Sequence, residues 1–442
     1  MIATFKAENF RSIKDEIKLS FEASTAIKDM ERSGFTSTAG WRVLNATAFF
    51  GANSSGKSNV FNAVGLMRAM IIQSVKLNDN ERLPYDPFLL SDEDMRPTSF
   101  EMEFDIEGDK YRYGFSYTAE KIEEERLEVK IPRRSSKTLL MRRGDEVETD
   151  EANYKDGNAI KNGSVKLNAN RLFLSLAAQT GGEMSKKVIE WFRTHLNVIS
   201  GLSDNNYSMF TKEAIHRNSP YKSDILRFIG AMEVGFSEVT TKQEEFDERA
   251  FPKGLPADLI AALKEHPMIN AYARHTKVNA QGQAVGFVDF DIDERESDGT
   301  IKLFNLAGPI IDTLQKGKVL FIDELDARLH PLLAQKIVEM FNNSSMNSHG
   351  AQLVFTTHDT NMLSRKLLRR DQVVFVEKDF TTYATRVTPM LDISMKNGTK
   401  PRTDSNYEKN YLEGNYGAIP KIKLAIEDFE HFIVGGGEDE QK

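Results

Sequence analysis

At 442 residues, 40% apolar and 28% charged, the chain has the make-up of an ordinary soluble globular protein with two or three domains, or one domain carrying a large insertion. A net charge of −8 argues against a surface that coats nucleic acid wholesale, though not against a local basic groove. There is no cysteine, which excludes disulfides, thiolate metal sites and cysteine nucleophiles and fits a reducing cytoplasm.

The first ten residues, Met1-Ile2-Ala3-Thr4-Phe5-Lys6-Ala7-Glu8-Asn9-Phe10, alternate like a strand and lack the apolar core of a signal peptide. No uncharged apolar run approaches the ~18 residues that span a bilayer. A soluble, cytoplasmic protein without membrane contact is expected. Residues 43–50 read as one buried strand. Gly51-Ala52-Asn53-Ser54-Ser55-Gly56-Lys57-Ser58 then fits G-x-x-x-x-G-K-[ST] in full, and 58–67 continue with apolar residues at helical spacing. Strand, glycine loop and helix are the context that this phosphate-binding motif requires. The glycines let backbone N–H groups converge on phosphates, and the helix N-terminus adds partial positive charge. Asn53, Ser54, Ser55, Gly56 and Asn59 are expected around the phosphates, with Lys57 reaching the β/γ-phosphates and the Ser58 hydroxyl on Mg²⁺. A chance Gly/Ser loop would not bring both flanking elements with it.

Phe100 to Ile106 and Lys110 to Phe115 alternate on either side of Glu107-Gly108-Asp109, a hairpin signal, and 127–143 continue in β-like fashion. From 172 to 232 the pattern turns helical, anchored by Leu172-Phe173-Leu174-Ser175-Leu176-Ala177-Ala178-Gln179 and Val188-Ile189-Glu190-Trp191-Phe192. No a/d heptad is sustained, so at most a short helical arm is expected. In 285–294, Asp289, Asp291 and Asp293 recur at period two, which on a strand puts three carboxylates on one face. A strand with one solvated face explains them better than a metal site.

Lys318-Val319-Leu320-Phe321-Ile322-Asp323-Glu324 reads as a buried parallel strand with two acids at its C-terminal edge, where ligands bind in open α/β sheets. Asp323 would complete the Mg²⁺ shell and Glu324 would act as general base for water. Gln352-Leu353-Val354-Phe355-Thr356-Thr357-His358-Asp359 is a further strand, whose tip histidine can sense a γ-phosphate. Strands follow at 371–377 and 383–387, then a tyrosine-rich segment, 407–420, and the acidic end, 435–442, expected to be disordered.

In order and kind these motifs resemble the ABC-type ATPase heads. The resemblance makes the glycine loop Walker A, Asp323-Glu324 Walker B with its catalytic glutamate, Asp326 the D-loop and His358 the switch histidine. Glu296-Ser297-Asp298-Gly299-Thr300 stands where the family has its LSGGQ-like signature, keeping the serine and one glycine. Asn9-Phe10-Arg11-Ser12 resembles the first-strand motif of the SMC-, RecF- and OLD-like branch, which would bring Arg11 near the nucleotide. The implied fold is α/β, a P-loop NTPase of ABC-ATPase type. Its mixed sheet would be flanked by helices, with a β-hairpin plus helical insertion between Walker A and the signature. The implied ligands are ATP and Mg²⁺. The implied assembly is a head-to-tail homodimer or higher homo-oligomer, in which Ser297 and Gly299 contact the partner's γ-phosphate. The expected parts are 1–100 and 281–400 as the two halves of the head, 101–170 a β-rich part, 171–280 a helical lobe, and 401–442 a docking segment with the acidic tail.

The tyrosine-rich segment, with 172–179 and Trp191, resembles a narrower group, the single-chain AAA-type ATPases of abortive-infection and restriction-linked phage-defence loci, of the AbiLi/RloA kind. That implies a sensor or scaffold with a phage-encoded trigger and a separate, nuclease-type effector. A RecF/SMC-like repair ATPase that binds nucleic acid, with residues 130–143 as its basic cluster, is the alternative. A self-contained OLD-like nuclease fits less well, since no D-x-D follows His358 and only a short length of chain remains for a nuclease domain.

Overall fold

The computed structural model describes residues 1–27, 34–38, 40–92, 96–132, 134–163, 166–202, 207–232, 235–236, 238–244, 260, 268–394, 398, 400–402 and 405–420. The acidic tail and much of the stretch between 245 and 267 lie outside them.

The chain opens with β1 (Ile2–Glu8), β2 (Ile17–Ser20), β3 (Phe35–Thr38), β4 (Trp41–Leu44) and β5 (Ala46–Phe50), followed by α1 (Lys57–Gln73). A meander follows: β6 (Thr98–Ile106), β7 (Asp109–Tyr117), β8 (Ile122–Lys130), β9 (Lys137–Arg143) and β10 (Glu146–Thr149). Then come α2 (Lys155–Lys161), α3 (Phe173–Gln179), α4 (Glu183–Thr194), β11 (Leu196–Ser200), α5 (Ser208–His216), α6 (Lys222–Ala231) and β12 (Glu238–Gln243). The second half holds β13 (Ile269–Val278), β14 (Ala284–Asp291), α7 (Ile292–Arg295), α8 (Asp298–Lys316), β15 (Val319–Asp323), α9 (Pro331–Asn342), β16 (Gln352–Thr356), β17 (Val373–Lys378), β18 (Thr385–Pro389) and α10 (Tyr407–Leu412).

Two large sheets organise these elements. One is antiparallel, in the order β10-β9-β8-β7-β6-β1-β2, and draws the N-terminal strand into the meander. The other has the order β11-β15-β16-β5-β17-β18, parallel except for the β18 edge. This is the mixed α/β sheet flanked by helices that the motif order implies. Its central strands are continuous apolar runs because both faces are covered. Phe49 and Phe321 face α1, where Phe61 meets their rings at 5.5 and 5.3 Å. Phe50, Leu320 and Ile322 face the opposite way, into a second core with α8 and α9. The alternation of a strand thus decides which layer each side chain joins.

Three expectations need correction. Residues 43–50 are two strands, broken at Asn45, whose side chain bonds Thr36 and the Phe341 carbonyl. The helical reading of 172–232 misses β11, a five-residue strand paired in parallel with β15. Finally, the three aspartates do not share a strand face, because β14 ends at Asp291, whose carboxylate caps the Asp293 N–H and starts α7.

The helix α8 contains Pro309, which has no N–H to give the Asn305 carbonyl. The buried Thr211 hydroxyl of α5 donates to that carbonyl at 2.8 Å and accepts the Gly308 N–H at 2.9 Å.

Candidate active site

The P-loop joins β5 to α1 at the C-terminal edge of the parallel sheet, where α/β folds bind ligands. Gly56 adopts φ 104°, which an L side chain rarely adopts, and a Cβ there would fall 1.9 Å from the Thr385 hydroxyl. Lys57 is buried and donates to the Gly51 and Ala52 carbonyls at 2.8 and 3.2 Å. Burial holds its ammonium below the usual lysine range, against the pull of the nearby Asp323, Glu324 and Asp326 carboxylates. The Ser55 hydroxyl is buried in the loop without a partner among the described residues.

A cleft of about 730 Å³ opens over this loop, lined by Ser12, residues 53–59, Glu324, His358 and Lys378. Asn53, Ser54, Ser55, Gly56, Lys57, Ser58 and Asn59 therefore share one wall, with Glu324 and His358 beside them. The second acid is reached through neighbouring strands. The Thr356 hydroxyl donates to Asp323 Oδ1 and accepts the Glu324 N–H, both at 2.7 Å. His358 Nε2 lies 4.0 Å from Glu324 Oε1, and the His358 N–H donates to Asp326 Oδ2 at 3.1 Å. For Mg²⁺, the hydroxyl of Ser58 and the carboxylate of Asp323 are hard-oxygen donors of the kind this ion prefers, so the residues fit it in chemistry.

Three expected residues lie elsewhere. Arg11 does not line the P-loop cleft. Its Nε bonds Asp86 Oδ2 at 2.8 Å on the wall of a separate groove with Tyr85 and Leu66. Ser297 caps α8 by accepting the Thr300 N–H, and Gly299 sits against the Arg328 carbonyl, so neither lines this chain's own P-loop cleft. Asp289 and Asp293 are bound to Arg274 and Lys212 respectively. Among the described residues no three His, Asp or Glu side chains group as metal ligands.

Ser12 and Thr385 also contribute, and carried little or no sequence signal. Ser12, one residue past Arg11, accepts the Asn59 amide and meets the Thr385 hydroxyl, each at 2.7 Å. Thr385 in turn donates to the Ser55 carbonyl at 3.1 Å, a contact made only because β18 folds back beside the loop. The tyrosine-rich segment docks directly on the P-loop. The Ala52 N–H donates to the Ala418 carbonyl at 2.9 Å, and the Tyr411 ring stacks on Phe375 at 5.4 Å.

Fold and cleft together define a P-loop nucleotide-binding protein. The model of the family described as "AAA domain, putative AbiEii toxin, Type IV TA system" matches residues 46–364, and the chain belongs to that family. Among curated proteins none matches it. Similar solved structures include the SMC head domain from Thermotoga maritima, 13% identical, covering 88% of this chain and 98% of that one with a TM-score of 0.38. The recombination mediator protein RecF-ATP in the RecFOR pathway is 13% identical over 88% of this chain and 97% of that one, TM-score 0.32. No helix among the described residues is long and apolar enough to cross a membrane.

Proposed function

We propose that the chain is an ABC-type ATPase that binds and slowly hydrolyses ATP in a head-to-tail homodimer. In this reading it acts as sensor and scaffold for a separate effector in anti-phage defence. One observation carries the dimer. The cleft gathers the P-loop, Glu324 and His358 from one chain, while the Ser297–Gly299 segment faces elsewhere on the same chain. A second copy can supply that segment over the γ-phosphate.

In each site Lys57 and the N-terminus of α1 hold the phosphates, Glu324 orients or deprotonates water, and His358 contacts the γ-phosphate. Ser58 and Asp323 would hold Mg²⁺, which when bound neutralises phosphate charge. Family membership supports the nucleotide chemistry. The defence role rests on the resemblance of the tyrosine-rich segment, which packs on the P-loop and could pass its state outward.

The test is light scattering of Glu324→Gln with ATP and Mg²⁺. A stable dimer that releases no phosphate is expected, and Lys57→Ala should stay monomeric and bind no ATP. A Glu324→Gln variant hydrolysing at the wild-type rate would remove the general-base assignment.

A further inference from the structure

Glu324 is the one acid of the site whose backbone is strained. Its φ is 59°, in the left-handed region, which a residue with a Cβ keeps only where its surroundings over-determine it. Those surroundings are specific. On one side, the Gly201 N–H after β11 donates to the Asp323 carbonyl. A Cβ at Gly201 would lie 1.8 Å from the Glu324 carbonyl oxygen, so that strand end must be bare. On the other side stands Thr356, fully buried at the tip of β16.

Thr356 bonds the acidic turn three times. Its hydroxyl donates to Asp323 Oδ1 and accepts the Glu324 N–H, and its carbonyl accepts the Leu325 N–H at 3.0 Å. A threonine hydroxyl offers one donor and two acceptor positions. This hydroxyl uses both its donor and an acceptor position, and both partners belong to Asp323-Glu324. A hydroxyl also steadies a carboxylate without cancelling its charge, as a lysine would.

We infer that Thr356 is a positioning residue for the hydrolysis proposed above. It fixes which Asp323 oxygen is left for the cation and holds Glu324 in the turn that carries its carboxylate to His358. The role rests on the reading of the cleft as an ATPase site.

Full-length Thr356→Val, Thr356→Ala and Thr356→Ser decide it. Serine and alanine leave the same missing methyl and differ only in the hydroxyl, so they remain decisive even if the valine variant fails to fold. Turnover and the Mg²⁺ needed for half-maximal binding of a fluorescent, non-hydrolysable ATP analogue are both measured, with melting temperature alongside. Loss of the hydroxyl should lower turnover about 10–100-fold and raise the Mg²⁺ requirement by about tenfold, with serine near wild type. An alanine variant matching serine in Mg²⁺ requirement and turnover overturns the role, whatever its melting temperature. Wild-type protein without Mg²⁺-dependent ATP turnover overturns the ATPase reading and the role with it.

Discussion

Two sets of acids sit at strand ends on either side of α8, and the protein treats them in opposite ways. Asp323 and Glu324 are held by a threonine hydroxyl and by backbone groups, and among the described residues no lysine or arginine pairs with either. Asp289, Asp291 and Asp293 are each spent on a local partner, namely Arg274, a helix N-terminus and Lys212. In the proposed reading, the acids that await a ligand are oriented by neutral donors. Acids used for architecture are matched to a cation or to a helix end.

The sharpest way to break this contrast is Asp323→Asn, which keeps the shape and removes the charge. Turnover should fall about 10²–10³-fold while denaturant stability changes little, as steady-state phosphate release and urea melts would report. Asp293→Asn should do the reverse. It leaves the buried Lys212 ammonium without its carboxylate and should cost about 1–3 kcal/mol in urea melts, with ATP turnover within about twofold of wild type. Loss of turnover in that variant would merge the two sets. The smallest effect belongs to Asp289→Asn, whose exposed pair with Arg274 is screened by solvent, so the same melts should shift least for this variant.

Much of the scaffold was legible because its signals are local. A buried strand, a glycine loop and an amphipathic helix follow one another within residues 46–73, and the strands ending at Asp323 and Thr356 are short runs with apolar centres. What stayed hidden depends on pairing across the chain. Leu196–Ser200 is too short and mixed to read as a strand until β15 lies beside it. Thr385 and Lys378 reach the cleft only through the register of β17 with β5 and β18. The aspartates of 289–293 misled for a different reason. Period two cannot see a helix cap, and at Asp291 the backbone leaves the strand to make one. Arg11 and Ser12 differ by a single position, and the segment resemblance named the first, whereas it is Ser12 that lines the cleft.

The proline in α8 has a mechanical consequence. Where Pro309 removes a rung from the helix, the missing bond is supplied by a hydroxyl on α5, so the two helices are spliced rather than merely stacked. A splice has no slack. Tilting α5 must either open that joint or drag α8, and the near end of α8 is the cap at Ser297. A grip on residues 208–216 is thus a handle on the cap at Ser297, the segment that in the proposed dimer would meet a second chain.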